Sequence, residues 1–425
     1  MKNDKNLQLF NFIKESPTAF HTISTISKML DEAGFEALDE KKEYKLKNNE
    51  KYYVTRNGSS IIAFKYISKA EGFNIIASHS DSPTFRIKEN PEIAVEGHYV
   101  KLNVEKYGGM IMSSWFDRPL SIAGRVMING KTGVESRLID FDKDLCMIPN
   151  LAIHMNREAN DGYKYNAQKD MLPIISLNTQ FSLQKILAEK LDVECNDILD
   201  SDLFLYNREE GKVWGSENEF ISASRLDDLQ CAFGTLNGFL QVVSTKKAVS
   251  KMPVLCVFDN EEVGSGTKQG ADSTFLYDTL VRINEAAGGN ISSYLQKCAN
   301  SFMLSADNAH ALHPNYADKS CPTNKVFINE GVVIKYSANQ KYTTDGAAAA
   351  LVKALCKKYK VKYQTFVNRA DMLGGSTLGN ISATHVSIPT VDIGLPQFAM
   401  HSIYESAGAK DTEELIKLSK VIFEN

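Results

Sequence analysis

Val254-Leu-Cys-Val-Phe258-Asp-Asn-Glu261-Glu262-Val-Gly264-Ser-Gly266 is the stretch on which the fold of this chain turns. It opens as an uninterrupted apolar run, Val254 to Phe258, just after Pro253. A short run without polar alternation predicts a strand buried on both faces, the kind found in parallel sheets. The run stops at three acids, Asp259, Glu261 and Glu262, followed by two glycines. In open α/β sheets the carboxyl ends of the strands are where ligands bind. Adjacent glutamates there can divide labour, one holding a metal and the other moving a proton on a water. Taken alone, the stretch fits a polar loop capping a strand equally well.

The same pattern recurs on both sides of it. Phe73–Ser78 is a strand-like run that ends in His79-Ser-Asp81-Ser-Pro83. On an extended segment His79 and Asp81 face the same side, and a carboxylate beside an imidazole fixes its tautomer. Phe302-Met-Leu-Ser305 is another, followed by Ala306-Asp307. Val386–Leu395 is strand-like and precedes Pro396-Gln-Phe-Ala-Met-His401-Ser. Arg225-Leu-Asp227-Asp228-Leu opens an amphipathic helix with Phe233, Leu236 and Phe239. Two acids at a helix start suit the helix dipole as well as a cation. Together His79, Asp227, Glu262, Asp307 and His401 form an imidazole–carboxylate set suited to two zinc ions, with one aspartate shared. Glu261 is then the spare carboxylate, placed to act as general base on a water between the metals. Gly-x-Ser-x-Gly, Gly-x-Gly-x-x-Gly and a Walker A loop are all absent.

Composition narrows the class. The 425 residues are 43% hydrophobic and 24% charged, ordinary for globular chains, and long enough for more than one domain. A net charge of −4 and the lack of a basic stripe give no case for nucleic acid. No apolar run approaches a membrane span, and the first residues lack the apolar core of a signal peptide. Seven cysteines, an odd number without a Cys-x-x-Cys, suit buried free thiols in a reducing compartment. The expected location is cytoplasmic.

Residues 5–34 are expected to be helical, with a cap and proline at Ser16-Pro17-Thr18. From about residue 87 to 214 the α/β pattern gives way to short β-like runs and turn signals such as Asn129-Gly. We therefore expect a catalytic domain of residues 1–86 and 215–425, interrupted by a β-rich inserted domain of residues 87–214. His154, at the end of an apolar run in that insert, has a structural role on its sequence context alone.

The motifs in their order resemble the aspartyl aminopeptidase family of dinuclear zinc metalloaminopeptidases. The resemblance is carried by Ser16-Pro-Thr-Ala-Phe-His21, Ser78-His-Ser-Asp-Ser-Pro83, Ser114-Trp-Phe-Asp-Arg-Pro-Leu120, Arg225-Leu-Asp227, Asp259-Asn-Glu-Glu-Val-Gly264, Asp307-Asn-Ala-His-Ala-Leu-His-Pro-Asn-Tyr316 and Gln397-Phe-Ala-Met-His-Ser402. It implies an α/β/α metallopeptidase domain with a mixed central sheet, interrupted by a β-rich dimerisation domain. It implies two zinc ions per subunit (cobalt or manganese fit the same ligands). His79, Asp227 and Asp307 would hold one; Asp227, Glu262 and His401 would hold the other. Glu261 matches the catalytic base and Asp81 the acid that orients His79. The Asp227–Asp228 bond matches a position that is cis in relatives. Lys335, Tyr342 and Gly375 match substrate-side positions, and His154 matches a histidine sent into a neighbouring subunit's active site. Peptides are the implied substrates, with an acidic first residue preferred over a neutral one, and dimers assembling into a tetrahedral dodecamer are the implied state. Gly374 and Asn380 depart from the cysteine and proline common in relatives, which bears on side-chain preference. A deacylase or dipeptidase on a related scaffold, and a non-catalytic shell-forming protein, are the alternative readings.

Overall fold

The structure, a computed structural model, describes residues 4–425. It divides into two compact units: described residues up to Asp81 with Gly211–Met400 and Glu405–Asn425, and Ser82–Glu210 with His401–Tyr404.

The first unit is built on a nine-stranded sheet. Its strands run, edge to edge, Glu36–Leu38, Lys51–Arg56, Ser60–Lys65, Met252–Phe258, Phe73–His79, Phe302–Ala306, Thr390–Gly394, Val332–Tyr336 and Tyr363–Val367. The four central strands from Met252–Phe258 to Thr390–Gly394 are mutually parallel. Their flanks are antiparallel, Ser60–Lys65 on one side and Val332–Tyr336 on the other, so the sheet is mixed. Met252–Phe258 is buried at every residue, the outcome its unbroken apolar run predicts.

Strand alternation sends successive side chains to two separate cores. Ile61 and Ala63 join one, with Leu9, Ile23, Leu226, Phe239, Val352 and Leu415 from the helices on that face. Ile62 and Phe64 join the other, with Phe275, Leu280, Tyr294 and Leu378. The result is an α/β/α sandwich. The N-terminal helical stretch is two helices, Lys5–Lys14 and Ala19–Glu32, parted at Ser16-Pro17 because proline cannot donate to a continuing helix. Phe239 is fully buried and lies 5.8 Å from the ring of Phe35 and 5.3 Å from that of Phe423. Phe239→Ala is expected to destabilise the unit by about 3–5 kcal/mol, read from chemical denaturation. A loss under about 1 kcal/mol would mean that this core collapses around the gap far more than large-to-small changes ordinarily allow.

Two helices escape the sequence pattern. Ile291–Ala299 buries only Tyr294 and Cys298 and is started by a reciprocal Asn290–Ser293 capping box. Leu378–His385 follows a glycine-rich run that reads as a turn and buries only Leu378, Gly379 and Ser382. A five-stranded sheet in the same unit joins Lys212–Trp214, Phe220–Ala223, Glu405–Gly408, Pro396–Phe398 and Ala309–His310. It brings Glu405 into register with Ala223, just ahead of Arg225-Leu-Asp227.

The second unit is a seven-stranded, barrel-like sheet. Ile198–Tyr206 pairs with both Thr84–Val95 and Pro119–Gly130 and so closes the ring. Phe85, Leu102, Trp115, Leu120, Val126 and Leu203 fill its interior.

Candidate metal centre

Three of the four central parallel strands end in an acid or imidazole at one edge of the sheet. Phe73–His79 ends in His79, Met252–Phe258 runs into Asp259 to Glu262, and Phe302–Ala306 runs into Asp307. Register aligns Phe258 with His79 and Ser305 with Ala77, so these ends lie side by side. The helix Leu226–Val243 brings Asp227 and Asp228, joined by a cis peptide, against the same edge. Ligand atoms of His79, Asp227, Asp228 and Asp307 lie within 4.8 Å of one another, and so do those of His79, Glu261 and Glu262.

The imidazole of His79 is fixed from behind. Its Nδ1 donates to the carbonyl of Asp81 at 3.1 Å and lies 3.3 Å from the Asp81 carboxylate. With Nδ1 so anchored, Nε2 is the nitrogen left to a ligand, and it faces Asp227 and Asp307 at 3.7 Å each. The backbone N–H of His79 donates to Asp228 Oδ2 at 3.0 Å. Asp81 also holds the glutamate pair: its two oxygens accept the backbone N–H groups of Glu261 and Glu262, each at 3.2 Å. Asn260, just before them, sits at φ 64°, and Arg225, two residues before Asp227, at φ 57°. Left-handed backbone at residues other than glycine costs energy and gathers at functional sites.

Charge is the dominant feature of the cluster. Burial opposes the protonated form of His79, but Asp228, Asp307 and Asp81 outweigh it and hold the imidazole well above its ordinary value. Burial drives Glu262 and Asp228 upward, helped by neighbouring carboxylates. Burial also pushes Glu261 up to about 8, against the pull of His79. Asp307 goes the other way: burial opposes its charge, yet Lys335 and His79 keep it below the usual carboxylate range. So many carboxylates converging on one buried imidazole repel one another unless a cation lies among them. Nitrogen and carboxylate oxygen donors in this proportion fit a zinc-type ion.

The other expected residues fall in three places. His401 belongs with the second unit, where its Nδ1 meets the carbonyl of Gly109 and its own carbonyl accepts Ile111 N–H. An imidazole anchored by Nδ1 presents Nε2, the usual arrangement of a metal-binding histidine. His154 is exposed on the second unit. Lys335 is 3% exposed, and its ammonium donates to the Asn308 carbonyl at 2.7 Å and to Asp307 at 3.4 Å. It lies 5.4 Å from the ring of buried Tyr342. Gly375 is exposed in the run before helix Leu378–His385.

Three site residues lie outside the expected ligand set. Asp228, beside Asp227 at the helix start, joins the buried cluster. Buried Glu405 accepts the backbone N–H of Asp227 at 3.0 Å. Buried Asn308 donates to the carbonyl of Leu226 at 3.0 Å and to Gln397 at 3.0 Å, tying the Asp307 loop to the Asp227 loop. Neither of the last two carries a local signal.

A helix-flanked mixed sheet with a buried imidazole–carboxylate cluster at its carboxyl edge defines a metal-dependent hydrolase of the α/β/α class. Residues 12–423 match the family described as aminopeptidase I zinc metalloprotease, M18, and the chain belongs to that family. It is a zinc-dependent aminopeptidase. A "Probable M18 family aminopeptidase 2" of Clostridium acetobutylicum is 49% identical over 424 residues, 97% of each chain. Among solved structures, the one titled "Cryo-EM structure of the Ape4 and Nbr1 complex" matches at 36% identity and TM-score 0.94, over 99% of this chain and 85% of that one. The S. cerevisiae mApe1 dodecamer matches at 27% identity and TM-score 0.87, over 99% of this chain and 97% of that one. Among the described residues no helix is long and apolar enough to cross a membrane.

Proposed function

We propose that this aminopeptidase releases single N-terminal residues from peptides at a site holding two zinc ions. His79, Asp227 and Asp307 would bind one and Asp227, Glu262 and His401 the other, with Asp227 shared. When bound, the ions supply Lewis acidity to the scissile carbonyl and lower the pKa of the attacking water. Glu261 takes the proton from that water and returns it to the leaving nitrogen. Asp81 keeps Glu261 and Glu262 in step through their backbone N–H groups and fixes the tautomer of His79. The observation that carries this reading is the spare glutamate: Glu261 lies beside Glu262 at the His79 cluster, and a purely structural metal site has no use for a base.

Tyr342, Gly375 and Lys335 are proposed on the substrate side, with Lys335 acting through Asp307, which its ammonium already holds. His154, exposed on the second unit, is proposed to serve a neighbouring subunit. Self-association through dimers into a tetrahedral dodecamer is part of the same reading, supported by the likeness to a relative solved as a dodecamer. A cytoplasmic location completes it. An acidic first residue is the expected preference.

The test is release of the first residue from peptides beginning with Asp, Glu, Leu, Met and Lys, with and without chelator. Metal-dependent release, fastest from Asp or Glu, is the expected result. Fastest release from Leu or Met would overturn the acidic preference and keep the chemistry. No release from any free-amine peptide by metal-loaded protein, with cleavage of acylated substrates instead, would move the assignment to a deacylase.

A further inference from the structure

Asp392 is a completely buried carboxylate that the chemistry above does not use. It lies on the central strand Thr390–Gly394, opposite Ser305 of the strand that runs into Asp307. On its other side the same strand pairs with Val332–Tyr336, which carries Lys335. Its two oxygens reach two different loops. Oδ2 accepts the backbone N–H of Thr343 at 2.6 Å, and Oδ1 accepts the hydroxyl of Thr377 at 2.6 Å. The backbone N–H of Asp392 donates back to Thr344 Oγ1 at 2.9 Å.

Both loops are otherwise irregular, and each carries a residue proposed on the substrate side. Thr343 follows Tyr342, and Thr377 comes two residues after Gly375. Thr377 occupies the N-cap position of helix Leu378–His385, yet its hydroxyl does not cap that helix. A threonine there ordinarily bonds its own helix; here it is spent on Asp392. The helix also packs directly on this carboxylate, since a Cβ on Gly379 would fall 2.5 Å from Asp392 Oδ1. Burial pushes the Asp392 carboxyl up while the Thr377 and Thr343 donors pull it back, and hydrogen bonds to a buried acceptor fix geometry tightly.

We propose that Asp392 is a positioning residue for substrate recognition, setting the spacing between the Tyr342 loop and the Gly375 loop and thereby the choice of first side chain. The inference rests on the reading of Tyr342 and Gly375 as substrate-side residues. Asparagine at this position is isosteric but offers only one acceptor oxygen, so one of the two donors would face an N–H group. Valine at 377 removes the hydroxyl and keeps the shape.

The experiment compares wild type, Asp392→Asn, Thr377→Val and Thr377→Ser as full, metal-loaded chains. It reads kcat and KM on the five-peptide panel, metal content by mass spectrometry, and melting temperature. Asp392→Asn and Thr377→Val are expected to narrow the ratio of kcat/KM between best and worst peptide about tenfold, chiefly through KM, with wild-type metal content. Thr377→Ser, which restores the hydroxyl, is expected to keep the wild-type ratio. A uniform fall across all peptides, or an unchanged ratio in Thr377→Val, would show that Asp392 is structural only. Should Asp392→Asn fail to fold, Thr377→Val decides the matter alone. A wild-type protein that releases nothing from the panel removes the aminopeptidase reading itself, and this role with it.

Discussion

Glu261→Gln will lower kcat about a thousandfold, within the range that general acid–base catalysis supplies, and leave the metal content of the protein unchanged. The amide matches the carboxylate in size, so the backbone clamp of Asp81 on residues 261 and 262 persists. What is lost is the capacity to take a proton and return it. Burial favours the neutral form of this carboxyl, whereas a cation beside it favours the carboxylate that a general base needs. Because the missing interaction belongs to the transition state, kcat should fall while KM stays near the wild-type value. Peptide release and metal analysis on the same preparation check this. Activity within tenfold of wild type would remove Glu261 from the proton transfer. A fall in activity matched by a fall in bound metal would make it a ligand instead.

Asp227→Ala is expected to abolish binding of both ions, and with it all measurable activity. The carboxylate proposed as shared faces His79 Nε2 at 3.7 Å and belongs to the buried group that includes Asp228 and Asp307. A thermal-shift comparison with and without chelator makes the result readable without any substrate. An ion present at a thousand times its dissociation constant stabilises the folded chain by about 4 kcal/mol, so wild type should melt several degrees lower once the metal is removed. The variant should melt at the same temperature in both conditions. In chelator it should be at least as stable as wild type, because one charge has been taken from a cluster of mutually repelling carboxylates. Two equivalents of metal retained by Asp227→Ala would refute the shared-ligand assignment.

The parts of this centre that sequence makes legible share one cause. A strand buried on both faces must be a plain apolar run, so an acid or imidazole immediately after it stands out, as at His79, Glu262 and Asp307. The bracing groups are hidden because tertiary pairing alone brings them in. Glu405 reaches Asp227 only because Glu405–Gly408 is in register with Phe220–Ala223. Asp392 sits within an apolar run, Val391 to Ile393, and nothing near it in sequence announces the threonines it serves. Lys335 shows a subtler limit. Its residue type suggests a cation offered to substrate, whereas the fold spends the ammonium on Asp307 and Asn308. Helix Leu378–His385 is hard to read from sequence because a glycine-rich approach and few buried positions leave almost no period to detect.

The strand order bears on when the enzyme becomes an enzyme. Ser60–Lys65 and Phe73–His79 are made early and follow each other closely, but they do not pair; Met252–Phe258 lies between them. During synthesis the middle of the sheet therefore stays open until the ribosome has delivered that much later strand, with Glu261 and Glu262 directly behind it. Asp307 follows, and Glu405, which braces Asp227, comes later again. A growing chain thus carries every early component of a proteolytic centre without the ability to cut, and a product truncated before residue 252 is inert by topology, with no separate inhibitor required.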